Sequence, residues 1–176
     1  DKIARHISLC DMYNLPLVTF VDCPGYLPGV DQEWGGVIRH GAKIIYAYCQ
    51  ATVPKVSVVT RKAIGGSYVA MSSKQMNNDI AFAWPSAEIA VMGPEGAARL
   101  LNRQALREAE DPASLEAQFV TDYREKFFNP YRAADLGQID EVIEPRETRP
   151  HLIRSFEVLQ TKVQGGLPKK HGLFPV

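Results

Sequence analysis

Lys55-Val56-Ser57-Val58-Val59-Thr60, running into Arg61-Lys62-Ala63-Ile64-Gly65-Gly66-Ser67, decides the fold class. The first six residues are short, apolar and β-branched, the profile of a strand buried in a parallel sheet. The next seven read as a loop, and a short helix is expected to open near Ser67 and run to about Lys74. A strand feeding a helix through a Gly-rich turn is half of a parallel crossover, so the surrounding chain should repeat that alternation.

It does so in both directions. Upstream, Leu17-Val18-Thr19-Phe20-Val21 is a second apolar strand candidate. A helix precedes it over Asp1 to Asn14, with Ile3, Ile7 and Cys10 at helical spacing. The strand ends at Asp22, and Cys23-Pro24-Gly25-Tyr26-Leu27-Pro28-Gly29 must be a loop, because two prolines and two glycines exclude regular structure. A helix is expected from about Glu33 to Gln50, burying Val37, Ile44, Ile45 and Tyr48. Downstream, Ile80 to Trp84 and Ile89 to Met92 read as strands, and Gly93 to Leu101 turns into a helix. Residues 102–128 are charged and helical, interrupted at Asp111-Pro112. A short helix runs from Pro130 to Gly137, a short strand follows over Ile139 to Ile143, and a last helix spans Arg146 to Lys162 with Leu152, Ile153, Phe156 and Leu159 on one face. The class is α/β with mostly parallel strands in one domain, with no repeat and no interdomain linker. Four or five strands leave sheet faces open, which predicts that another segment or subunit supplies cover.

The 176 residues carry 20 Lys+Arg against 20 Asp+Glu, so there is no electrostatic footprint for nucleic acid. No apolar run approaches the roughly 20 residues that span a bilayer, and no secretory pattern opens the chain. Cys10, Cys23 and Cys49 form no C-x-x-C pair; free and mostly buried thiols in a reducing compartment are expected, the cytoplasm or a mitochondrial matrix.

Two places can carry chemistry. At Gly65-Gly66-Ser67 the backbone can approach a ligand closely, and the first amides of a helix point outward with the helix dipole behind them. Such a turn holds a phosphate, a carboxylate or a developing oxyanion; equally, it is a tight strand-to-helix turn capped by Ser67. The loop from Asp22 to Gly29 follows the neighbouring strand, and successive strand-end loops of an open parallel sheet meet at one carboxyl edge; its plainer reading is a rigid turn. His6 and His40 have no neighbours at metal-ligand spacing, so no metal site is expected. Gly65-Gly66-Ser67-Tyr68-Val69 fails the G-x-S-x-G pattern at its last position. Trp34 and Trp84 are expected in core or interface, the charged run 103–126 on a solvated face, and Lys169-Lys170-His171 on the surface.

Together these stretches resemble a known family. Val21 to Gly29, Gln32 to Lys43, Ala51 to Lys55, Thr60 to Tyr68, Ala83 to Gly93, Asn129-Pro130, Val142 to Arg149 and Lys169 to Gly172 are similar, in order, to the carboxyltransferase (β) subunit of biotin-dependent acyl-CoA carboxylases. The resemblance implies a crotonase-like fold and the C-terminal half of a longer subunit, with upstream strands missing here. It implies carboxyl transfer from carboxybiotin to the α-carbon of propionyl-CoA or acetyl-CoA, with biotin borne by a partner biotin carboxylase/carrier subunit, and a homo-oligomer built from dimers up to a hexamer. The backbone amides of Gly66 and Ser67 would form the oxyanion hole. Ile64, Gly65, Tyr68 and Val69, with Pro24, Gly25, Tyr26 and Leu27, would bind biotin or substrate. Ser67 stands where the family commonly has Ala, and Val69 where propionyl-preferring members commonly have Asp. A serine hydrolase of related fold acting through Ser67, and a non-catalytic assembly half-subunit, are the competing readings.

Overall fold

Strand β2 (Lys55–Ile64) is the axis of the sheet. In the computed structural model, which describes residues 1–165 and 172–175, it pairs in parallel with β1 (Leu17–Cys23), β3 (Ile80–Ala83) and β4 (Glu88–Ala90), and β3 pairs in parallel with β5 (Glu141–Val142). The order is β1-β2-β3-β5, with β4 beside the far end of β2. One strand serves three neighbours because it is ten residues long: Val56 to Val59 pair with β3, and Lys62 to Ile64 pair with β4. The helices are α1 (Lys2–Met12), α2 (Val30–Trp34), α3 (Val37–Gln50), α4 (Gly65–Ala70), α5 (Pro94–Leu101), α6 (Arg103–Glu108), α7 (Pro112–Phe127), α8 (Pro130–Asp135) and α9 (Thr148–Leu159).

Several expectations shift. Arg61 to Ile64 are strand rather than loop, and the helix opens at Gly65 rather than Ser67 and ends at Ala70 rather than Lys74. Arg61 and Lys62 disguise a strand because they are charged and Arg61 reaches water, although the next residue, Ala63, is buried in the core. The helix expected over Glu33 to Gln50 is two, broken at Gly35-Gly36, where Gly36 takes φ +78°. Its buried side is Gly41, Ala47 and Tyr48, with Val37, Ile44 and Ile45 only half-buried. Strand β1 is buried on one face alone: Leu17, Thr19 and Val21 point inward, while Val18 and Phe20 are 38% and 55% exposed. Ala4 takes the inward place expected of Ile3, and Ile153 faces outward, as does Trp34 at 85% exposure. Cys10 is buried, Cys23 half-buried and Cys49 exposed, all three free, so the thiols are not mostly buried. Lys169-Lys170-His171 lies outside the described residues.

The two sheet faces are covered differently. On one, Val56, Val58, Phe82 and Ile143 pack against Leu152, Phe156 and Leu159 of α9. The in-register neighbours Val18 and Phe20 share that face, beyond the edge of α9. On the other, Val21, Val59, Ala63, Ala81, Ala83 and Ile89 pack with Tyr68 and Ala133, and Leu17 with Ile7, Cys10, Ala47 and Tyr48. Small side chains dominate this second face, which lets α4 and α8 sit close to the sheet. Lys55 is fully buried, its Nζ donating to the Tyr48 and Ala51 carbonyls at 2.8 Å each. It thereby closes the end of α3, whose last carbonyls have no partner of their own.

Candidate active site

Strand β2 passes into α4 with no intervening loop, and Gly65 makes the transition. It adopts φ +65°, and a Cβ there would stand 3.1 Å from the Val91 carbonyl. Both the left-handed backbone and the close approach of β4's trailing residue require glycine. Gly66 differs: its backbone is ordinary, and a Cβ would meet no heavy atom within 4 Å. The open space in front of it is a cavity of about 560 Å³, within the roughly 300–1,000 Å³ usual for small-molecule sites.

The cavity lies between α4, β4 and the helices α7 and α8. Gly65, Gly66, Tyr68 and Val69 form one wall, Val91 a second, and Tyr123, Phe127 and Leu136 a third. Among the described residues no acceptor is bonded to the amides of Gly66 or Ser67, which belong to the first turn of the helix and have no carbonyl before them to take. Ser67 is buried and is not an N-cap. Its hydroxyl donates back to the Ile64 carbonyl at 2.8 Å. Among the described residues no histidine or carboxylate bonds that hydroxyl, so the arrangement a serine nucleophile needs is missing there. Burial pushes the Tyr68 phenol up to about 12, so it stays a neutral packing group. Among the described residues no group of three or more His, Cys, Asp or Glu could hold a metal ion.

The second predicted loop is brought only part of the way. The ends of β1 and β2 are adjacent, and a bidentate bridge ties them: Arg61 Nε donates to Asp22 Oδ1 at 3.2 Å and Nη2 to Oδ2 at 2.9 Å, while the Lys62 amide also donates to Oδ1 at 3.2 Å. The Arg61 bond, then the Lys62 amide, hold the Asp22 carboxyl below the usual carboxylate range. Beyond that clamp the loop turns away. Tyr26 lies over Gly41 of α3, so close that a Cβ on Gly41 would stand 2.5 Å from the phenol oxygen. It lines a shallower depression with His40 and Ile44, separate from the Gly65–Gly66 cavity. Pro24, Gly25 and Leu27 are exposed, and Ile64 is half-buried in the strand end. Thus Gly65, Gly66, Tyr68 and Val69 share one cavity, and Pro24 to Leu27 do not line it.

The opposite wall is absent from the sequence-based expectation. Tyr123 stands in the run assigned to a solvated face and Phe127 one residue beyond it, and α7 indeed has no buried residue. Yet these two aromatics, four residues apart with ring centroids at 5.4 Å, line the cavity, as does Arg132 of α8. The available signal is that aromatic pair at one-turn spacing in an otherwise charged helix.

Comparisons with known proteins match this architecture. A carboxyl transferase domain model matches residues 1–174. The chain is 52% identical to methylmalonyl-CoA decarboxylase subunit alpha of Propionigenium modestum and 52% identical to the propionyl-CoA carboxylase carboxyltransferase subunit of Haloferax mediterranei, over all 176 residues and 34% of each relative. It superimposes on the transcarboxylase 12S crystal structure containing methylmalonyl-coenzyme A and methylmalonic acid, with TM-score 0.96 and 52% identity, covering all of this chain and 34% of that one. The geranyl-CoA carboxylase β subunit of P. aeruginosa follows at TM-score 0.78 and 29% identity, with 99% of this chain and 34% of that one covered. The chain therefore spans about a third of the length of the relatives it matches. Its parallel sheet, its strand-to-helix turn at Gly65 and its match over nearly every residue place it in the crotonase-like fold class, and the chain belongs to the carboxyl transferase domain family.

Proposed function

We propose that this chain is the biotin-receiving part of an acyl-CoA carboxyltransferase, which moves a carboxyl group between carboxybiotin and the α-carbon of a short acyl-CoA such as propionyl-CoA or acetyl-CoA. The observation that carries the reading is Gly66: a first-turn residue whose amide has no acceptor among the described residues lines an open, largely apolar cavity at the end of the central strand. Relatives named for propionyl-CoA and methylmalonyl-CoA chemistry support the substrate class.

Carboxybiotin, presented by a carrier subunit, supplies the carboxyl group and then a base for the acyl α-proton. The chain's own part is electrostatic. The Gly66 and Ser67 amides donate to the oxygen on which negative charge grows, one such donor typically being worth about 3–4 kcal/mol. The Ser67 hydroxyl donates to the Ile64 carbonyl, which holds the first turn of the helix in place before ligand arrives. Val69, Val91 and Phe127 give the cavity an apolar wall, against which each donor counts for more than in bulk water. The active protein is a homo-oligomer working with a biotin-bearing partner, as the uncovered face of β1 and the family both support.

The test is carboxyl transfer to propionyl-CoA by the whole protein. Gly66→Pro, which deletes an amide donor, should abolish it, while Ser67→Ala should leave it nearly intact. Labelling of Ser67 by a fluorophosphonate probe, or equal losses in the two variants, would overturn the backbone-amide mechanism.

A further inference from the structure

Among the described residues, Arg132 is the one Lys, Arg, Asp or Glu on the wall of the Gly65–Gly66 cavity. The remaining lining is apolar, aromatic or neutral, with Gln75 and Gln138 supplying amides. Among the described residues the guanidinium is weakly engaged: Asp135 Oδ2 is 3.7 Å away, with the arginine side chain about half exposed and the aspartate 70% exposed. Its root is well fixed. Asn129 caps α8 by accepting from the Arg132 amide at 2.9 Å, and Ala133 and Leu136 beside it line the cavity. A planar fork of N–H donors at the rim of an apolar cavity suits a carboxylate, which it takes through two parallel bonds. The side chain's own partner is too distant and too hydrated to compete.

We propose that Arg132 is the carboxylate-recognition residue of this cavity, distinguishing a carboxylated ligand from the same ligand without its carboxyl group. The inference rests on the carboxyltransferase reading above and deepens it. Two sources present this chemistry: the carboxyl group on the urea of carboxybiotin, and the free carboxyl group of a malonyl-type acyl-CoA.

The experiment uses the whole protein, its R132Q and R132K variants, and two measurements. Calorimetric titration compares methylmalonyl-CoA with propionyl-CoA, and initial rates give KM for the carboxylated biotin carrier. Loss of a charge-assisted bond should weaken the carboxylated ligand about ten- to a hundredfold in R132Q, with propionyl-CoA affinity held and R132K intermediate. A loss confined to methylmalonyl-CoA assigns the acyl source; a rise confined to carrier KM assigns the biotin source; either supports the proposal. Equal weakening of carboxylated and uncarboxylated ligands, or no change in either measurement, overturns it. The melting temperature of R132Q is recorded alongside, and if that variant is unfolded the same criteria are applied to R132K. Unchanged R132Q selectivity in an active enzyme removes Arg132 and leaves the carboxyltransferase reading standing. A wild-type protein that binds methylmalonyl-CoA through Arg132 but transfers no carboxyl group does the reverse.

Discussion

Gly65 and Gly66 are neighbours in sequence with opposite reasons for being glycine. At Gly65 the backbone is left-handed and the Val91 carbonyl is close, so Gly65→Ala should destabilise the fold by about 1–3 kcal/mol. At Gly66 the backbone is ordinary and the space is empty. Gly66→Ala should therefore keep or raise stability, by up to about 1 kcal/mol, while its methyl group occupies the cavity and lowers carboxyl transfer at least about tenfold. Denaturant titration together with kcat/KM separates the two effects, and a Gly66→Ala enzyme of normal rate would remove this residue from the site. Tyr68 gives a pH prediction. Burial raises its pKa from the ordinary 10 to about 12, so the unfolded chain releases the proton first. Stability should fall as pH rises from 10 toward 12, by up to about 1.4 kcal/mol per unit from this group. Tyr68→Phe should flatten that slope relative to wild type in melts across pH 9–12, and parallel curves would deny Tyr68 the role. Val69 borders the same cavity. Val69→Asp should shift kcat/KM ratios among acetyl-, propionyl- and butyryl-CoA, since each buried methylene carries about 0.8 kcal/mol; unchanged ratios would make Val69 a packing residue. The Gly-rich turn is legible at this scale because residue type alone reports backbone freedom, whereas Val69 is reached only through the family resemblance. Arg132 is not, because an arginine in a charged stretch looks like any surface arginine until its helix is placed.

Among the elements, α3 and β2 depend on one side chain. Lys55, at the first position of β2, donates to two carbonyls at the end of α3. Lys55→Met fills similar volume but leaves the Tyr48 and Ala51 carbonyls buried without a donor, at about 1–3 kcal/mol each. The expected loss is several kcal/mol in denaturant titration, and a change under about 1 kcal/mol would mean that water replaces the ammonium. Element boundaries are less legible than element types. The end of β2 reads as a loop because its charged residues satisfy themselves across the sheet, Arg61 on Asp22, with β4 as the pairing strand. Both partners are distant in sequence. The split of the second helix at Gly35-Gly36 is visible in the residues, yet two glycines are tolerated in a helix often enough that the apolar period outweighs them.

For the molecule as a whole, the uneven cover of the sheet matters most. Helix α9 protects the outer face of β2, β3 and β5, while Val18 and Phe20 of the edge strand β1 remain open. An apolar, one-sided edge strand is a pairing surface. The whole protein should therefore sediment as an oligomer at micromolar concentration, and Phe20→Lys should weaken that association without altering the folded chain. A wild-type protein that sediments only as a monomer would sink this expectation.

What the sequence by itself determined was the alternation of strands and helices, the class and the Gly-rich turn. These depend on hydrophobic period and on backbone freedom, both properties of neighbouring residues. Only the tertiary structure decided which loops share a site. Pro24 to Leu27 and Gly65 to Val69 follow adjacent strands, yet Tyr26 is drawn onto Gly41 while α7 and α8 wall the open cavity in front of Gly66. That outcome depends on where helices far along the chain come to rest, α8 against the small residues Ala81 and Ala83 through Ala133 and α7 against α5, and no local pattern encodes such a distance.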